Sequence, residues 1–134
     1  MVFRMRRTAP GDIRPTEFEL ELLQLLWAQS GATVRELYET LSENRELGYT
    51  TILKTLQIMT EKGLVTREGV GKAHVYRAAR SEEQTQKQFI QYLSERLFAG
   101  SAAKLVLHAL STQAVDSDEL KRIKTLISQK ESGA

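Results

Sequence analysis

The sequence predicts a mainly α fold with a small β-hairpin, and three observations predict it. No proline follows Pro15, so residues 16–134 are free of the residue that most often breaks a helix. Apolar residues then recur at helical spacing in segments that open on a capping residue. Between residues 64 and 77 the pattern shortens to two β-favouring runs split by a glycine-containing turn.

The elements follow in order. Met1–Arg14 has no periodicity and reads as a flexible arm. Thr16-x-x-Glu19 is a capping box for a first helix over about residues 16–29, in which Phe18, Leu22, Leu25 and Leu26 form an apolar stripe. Leu20, Leu23 and Trp27 widen that stripe, and Ser30-Gly31 ends the helix. A second capping box, Thr33-x-x-Glu36, opens a helix with Val34, Leu37, Tyr38 and Leu41 inside. Asn44–Gly48 is a turn. A third helix runs from about Thr50 to Lys62 with Ile52, Leu56 and Met59 on one face, and Gly63 stands where a left-handed cap belongs.

Leu64–Glu68 and Ala73–Arg77 are the two strands, joined by Gly69-Val70-Gly71-Lys72. Ser81-x-x-Gln84 opens a fourth helix, to about Phe98, carrying Phe89, Leu93 and Leu97 at four-residue spacing. Gly100-Ser101 breaks it. A fifth segment carries Leu105, Val106, Leu107 and Leu110, and Asp116-x-x-Glu119 caps a last helix with Leu120, Ile123, Leu126 and Ile127; Lys130–Ala134 is expected to fray. Three helices followed by a hairpin is the order of a winged helix-turn-helix. The expected organisation is an arm (1–14), a winged-helix domain (15–80) and a helical dimerisation domain (81–134).

Composition narrows the function. The chain has 134 residues, 41% of them hydrophobic and 27% charged, in the range of soluble globular domains. No cysteine is present, which removes disulfides, thiolate metal sites and a cysteine nucleophile. No apolar run is long enough to span a bilayer, and no apolar segment follows the basic start as a secretory signal would require. A soluble cytoplasmic protein without membrane insertion is expected. The net charge of +2 comes from residues up to Arg80, where 12 Lys/Arg face 10 Asp/Glu; beyond them the count is 7 against 7.

The third helix carries the chemistry. At 100° per residue, Thr50, Lys54, Gln57 and Glu61 lie opposite the apolar face, with Thr51 and Ile58 on one flank. Hydroxyls, an amide and an ammonium on the outer face of a helix suit base edges and phosphates in a DNA groove. Tyr49, just before it, is placed to donate to a phosphate. In the hairpin, Lys72 lies beside glycines that permit close backbone approach, and Arg67, His74 and Arg77 decorate the strands. The candidate DNA-binding set is Tyr49, Thr50, Thr51, Lys54, Gln57, Arg67, Lys72 and His74.

His74 and His108 are the only histidines and lack a metal-ligand pattern, and no nucleophile–base constellation, P-loop or dinucleotide fingerprint occurs. The expectation is therefore no enzyme, no cofactor and no metal. The C-terminal helices carry more apolar residues than an isolated helix keeps in water. Phe89, Leu93, Leu97, Phe98, Leu105, Leu120, Ile123 and Ile127 are the candidate dimerisation residues, because helix-turn-helix proteins commonly bind two half-sites as dimers. An intrachain helical subdomain is the alternative for these helices. A winged-helix protein-interaction module without specific DNA binding is the alternative function.

These residues bring a known pattern with them. Thr16-Glu17-Phe18-Glu19, Leu26-Trp27 and Ala32-Thr33-Val34-Arg35-Glu36-Leu37 precede Gly48-Tyr49-Thr50-Thr51-Ile52, which runs into Glu61–Glu68. Val75-Tyr76-Arg77, Leu97-Phe98-Ala99-Gly100-Ser101 and Leu105-Val106-Leu107 follow at matching spacing. Over about residues 14–130 the chain resembles the penicillinase-repressor family (BlaI/MecI type), which also includes CopY-type copper-responsive repressors. The resemblance implies a homodimer that binds palindromic operator DNA and blocks transcription, with Tyr49-Thr50-Thr51 at the start of the recognition helix and Lys72 in the wing. It also implies a membrane sensor-protease pathway as a partner, since penicillinase repressors are cleaved at an Asn–Phe bond after the Leu-Val-Leu segment. The matching bond here is His108–Ala109, so the resemblance does not extend to that cleavage specificity. Copper sensing through C-terminal cysteine pairs is excluded. Ile58 replaces what is often a basic residue of the family's recognition helix.

Overall fold

The computed structural model describes residues 14–43, 45–70 and 73–133. Arm residues 1–13, Asn44 of the expected turn, Gly71 and Lys72 of the hairpin turn, and Ala134 of the tail lie outside the described residues.

Helix α1 spans Glu17–Gln29, and its predicted capping box is formed: the Glu19 N–H donates to Thr16 Oγ1 at 3.2 Å and the Thr16 N–H to Glu19 Oε1 at 2.8 Å. It ends in a left-handed Ser30 followed by Gly31 at φ 115°. That backbone conformation favours glycine, and a side chain there would also crowd Arg77, whose Nη1 it would meet at 2.7 Å. Strand β1 is the pair Ala32–Thr33, and Thr33 with Glu36 then caps helix α2, Val34–Leu41. Helix α3 is Tyr49–Lys62. The Gly63 N–H bonds to the Thr60 carbonyl at 3.1 Å and the Leu64 N–H to the Met59 carbonyl at 2.9 Å, a paired closure in which Gly63 takes φ 80°.

The hairpin is β2, Val65–Val70, with β3, Ala73–Ala78. The expected two-stranded hairpin is in fact one side of a three-stranded antiparallel sheet ordered β1-β3-β2, because Ala32 pairs with Tyr76 and Thr33 with Val75. Leu22, Leu26, Leu37, Ile52, Leu56, Met59 and Tyr76 are completely buried, so the core draws on all three helices and the central strand. The aromatic body of Tyr76 closes the sheet side of that core.

Helix α4 is Glu82–Arg96, opened by reciprocal bonds between Ser81 and Gln84. Ala99 and Gly100, both at positive φ, break the chain before helix α5, Ala102–Thr112, whose cap is Ser101. Asp116 and Glu119 form the capping box of helix α6, Ser117–Glu131, which carries helical geometry two residues into the tail expected to fray. The chain divides into two compact units, one ending at Phe89 and the other beginning at Ile90. No helix among the described residues is long and apolar enough to cross a membrane.

Candidate nucleic-acid interface

Helix α3 is built from its buried face outward. Ile52, Leu56 and Met59 have no exposed surface, and their recurrence at i, i+4, i+7 fixes the rotation of the helix about its axis. Thr50, Thr51, Lys54, Gln57 and Glu61 consequently face solvent, as the 100° spacing requires. Two hydroxyls turn back on the helix: Thr55 Oγ1 donates to the Thr51 carbonyl and Thr60 Oγ1 to the Leu56 carbonyl, each at 2.8 Å. The hydroxyls of Thr50 and Thr51 have no such bond among the described residues. Lys54 has no ion pair among them either, so its ammonium remains open to an anion.

The two ends of α3 differ. Its C-terminal end is held by Lys62, whose Nζ lies 2.7 Å from Glu19 Oε1 in a largely buried ion pair with α1. Its N-terminal end has extended Gly48 as cap, no side-chain cap bond and no acidic residue in the first turn. The first N–H groups of a helix carry partial positive charge and attract anions, phosphate included.

Tyr49 is 42% exposed, and its ring stands edge-on to Tyr38 of α2 with centroids 5.8 Å apart. It shares a groove of about 460 Å³ with Thr33, Arg35, Leu53 and His74. The fold thus brings the helix-start residue Tyr49 and the strand residue His74 to one place. It adds Arg35, which is not among the DNA-binding residues expected from the sequence. Arg35 sits in the first turn of α2 with a side chain 70% exposed and only a 3.9 Å contact to Glu39. Its signal in the sequence was weak: one arginine in a helix's first turn, with nothing local to tie it to Tyr49.

Strand register separates the hairpin cations. Arg67 pairs with Tyr76 and Gly69 with His74, so Arg67 and His74 stand on the face of the sheet that Tyr76 turns to the core, near the hairpin's outer end. The His74 ring lies over Gly69, where a side chain would come within 2.9 Å of Nδ1 and Cε1. Arg77 is on the opposite face. It donates to Glu68 Oε1 at 3.1 Å and to the Ser30 carbonyl at 3.2 Å, and so ties the hairpin to the end of α1. Lys72 lies outside the described residues.

The model of the penicillinase repressor family matches residues 15–129. The chain belongs to the penicillinase repressor family. Curated relatives include the transcriptional regulator BlaI from two strains of Mycobacterium tuberculosis, 27% identical over 119 residues, covering 87% of this chain and 85% of the relative. Among solved structures, the hsRosR–SG complex aligns with TM-score 0.48 and 18% identity over 90% of this chain and 96% of that one. The hsRosR-S4 complex aligns with TM-score 0.47 and 19% identity over 91% and 98%. As a family member the chain is a transcriptional regulator of the DNA-binding, winged-helix kind.

Family membership directs attention to the second unit as well. Of the residues expected at a dimer interface, Leu97 is 69%, Ile127 49% and Leu120 38% exposed, and Leu93, Phe98, Leu105 and Ile123 are half-buried. Phe89, in the first unit, is half-buried too. Leu107 and Leu126 add further exposed apolar surface, at 64% and 54%. The His108–Ala109 bond lies within α5, and the Phe98 ring lies 5.5 Å from the His108 ring.

Proposed function

We infer that this family member represses transcription by binding a palindromic operator as a homodimer, with the outward face of α3 in the major groove. The observation that carries the reading is the division of α3 into a fully buried apolar face and an outer face of Thr50, Thr51, Lys54 and Gln57, entered from an end without a side-chain cap. Thr51 and Gln57 have the donors, acceptors and methyl group to read base edges, and Lys54 supplies attraction to phosphate. Tyr49, Arg35 and His74, which share a groove beside that helix, contact the DNA backbone, and the hairpin cations Arg67 and Lys72 add phosphate attraction. Residues 81–134 supply the second-copy interface, which buries Leu97, Leu120 and Ile127; the dimer's two-fold axis then sets the symmetry of the operator. Bound there, the dimer excludes the transcription machinery from the promoter.

Selection from a random duplex pool tests this. The parent should enrich an inverted repeat whose affinity falls steeply with salt. Lys54→Ala should weaken binding to all sequences and lower the salt slope by about 1 per half-site. Thr51→Ala should change the enriched bases. A triple variant, Thr51→Ala with Lys54→Ala and Lys72→Ala, that bound the selected duplex as well as the parent would remove α3 from the interface.

A further inference from the structure

Among the described residues up to Phe89, two large apolar side chains are exposed, and both are on α3: Tyr49 at 42% and Ile58 at 45%. Tyr49 is accounted for by its edge-on contact with Tyr38. Ile58 has no such account. A single exposed isoleucine on a protein surface ordinarily means nothing. This one sits in the third turn of α3, on the outer flank of the helix, about 130° around the axis from the buried stripe of Ile52, Leu56 and Met59. It falls within about 60° of Thr51 and Lys54 at 100° per residue. A solvated helix position favours straight-chain polar residues over a β-branched apolar one, which loses side-chain freedom and gains no burial there.

We propose that Ile58 is a specificity-determining residue that packs against the C5-methyl group of a thymine in the major groove. The proposal rests on the reading of α3 as the recognition helix. Thymine is the base that presents an apolar group on its major-groove edge. Against the other three bases the isoleucine would cover a hydrogen-bonding group and offer nothing in return, so it discriminates by penalty as well as by attraction. From Thr51 to Ile58 the helix rises about 10 Å, which corresponds to roughly three base-pair steps. Thr51, whose own side chain carries a methyl, and Ile58 therefore bracket a short stretch of one half-site, with Lys54 between them.

The experiment uses the full-length chain and the duplex it selects from a random pool. Each thymine of a half-site is replaced in turn by deoxyuridine, which removes the methyl and leaves the hydrogen-bonding edge intact. Affinity is measured for the parent, Ile58→Ala and Ile58→Thr. Burying one methyl is worth about fourfold in affinity. At one thymine the parent should lose about fourfold on loss of the methyl, whereas Ile58→Ala should lose less than about twofold at that same position. Ile58→Ala should also relax the enriched base there and nowhere else.

No thymine coupled to Ile58 in this way, with parent binding otherwise selective, would overturn the proposal while leaving the reading of α3 standing. A parent that enriches no duplex would overturn both. Methyl removal in the parent needs no protein variant, so an insensitive duplex counts against the proposal even if a substitution perturbs folding.

Discussion

Replacing Lys62 by Met tests how the C-terminal end of α3 is held. The Lys62–Glu19 contact is 2.7 Å long, with side-chain exposures of 16% and 4%, so the carboxylate is the more deeply desolvated partner. Met keeps most of the apolar stem of Lys62 and removes its charge. Glu19 then retains one hydrogen bond among the described residues, from the Thr16 N–H at 2.8 Å. Stranding a buried charge costs about 3–5 kcal/mol, and the surviving capping bond puts the expected loss at the low end, about 3 kcal/mol. Glu19→Gln is milder. The amide still accepts from Thr16 and Lys62 can swing to water, so about 1 kcal/mol is expected.

With both substitutions no charge is stranded, and the double variant should lie near 1–2 kcal/mol, giving a coupling of about 2–3 kcal/mol. Urea unfolding followed by far-UV circular dichroism measures all four proteins, at one fixed protein concentration because the proposed dimerisation would make stability concentration-dependent. Operator affinity, measured where every variant is folded, should change by less than about twofold, since the pair lies off the outward face. Equal losses for the two single variants, or losses that simply add, would refute the claim that the carboxylate is held by this lysine.

Further substitutions probe the wing and the second unit. Gly69→Ala places a methyl within 2.9 Å of the His74 ring and should displace it. Its operator affinity should fall by the same factor as that of His74→Ala, with the melting temperature almost unmoved; parental affinity in both would remove His74 from the interface. Leu97→Glu with Ile127→Glu puts charges at positions 69% and 49% exposed in the single chain, so each chain should stay folded. Sedimentation velocity should then show a monomer in place of a dimer; a dimer that survives both changes would assign association to another surface.

What the sequence made legible was local. Capping boxes at Thr16, Thr33 and Asp116 involve residues three apart, and each formed as spacing required. The rotation of α3 was legible because Ile52, Leu56 and Met59 fix it without reference to any partner. What remained hidden depends on pairing across the chain. Strand β1 is two residues long and exists because Ala32 and Thr33 meet the free edge of β3; the same residues read locally as a helix cap. Glu19 was recognisable as a capping residue, but its ion-pair partner is 43 positions away. Arg77 looked equivalent to Arg67 and His74 as a decoration of the hairpin. Register sets it on the other face, where it serves as a tie to Glu68 and Ser30.

The contrast between the two ends of α3 leads to one more prediction. Helices α1 and α2 begin with a Thr/Glu capping box, whereas α3 begins with Gly48 and carries Thr51 where those helices carry glutamate. A carboxylate in that first turn would stabilise the helix and repel an approaching phosphate, so if α3 docks in the groove by this end, its absence trades stability for binding. Gly48 has an extended backbone that other residues adopt freely, and a side chain there would meet only Thr51 Oγ1, at an ordinary 3.8 Å. Gly48→Asp and Gly48→Asn should each therefore fold and gain a few tenths of a kcal/mol from a capping bond. On DNA they should part. The aspartate should weaken operator binding several-fold at low salt, and raising the salt should shrink the deficit as the repulsion is screened. The asparagine, with the same shape and no charge, should bind within about twofold of the parent. Equal affinities for the two variants across the salt range would mean that no phosphate comes near the start of α3, and the docking of that end in the groove would have to be given up.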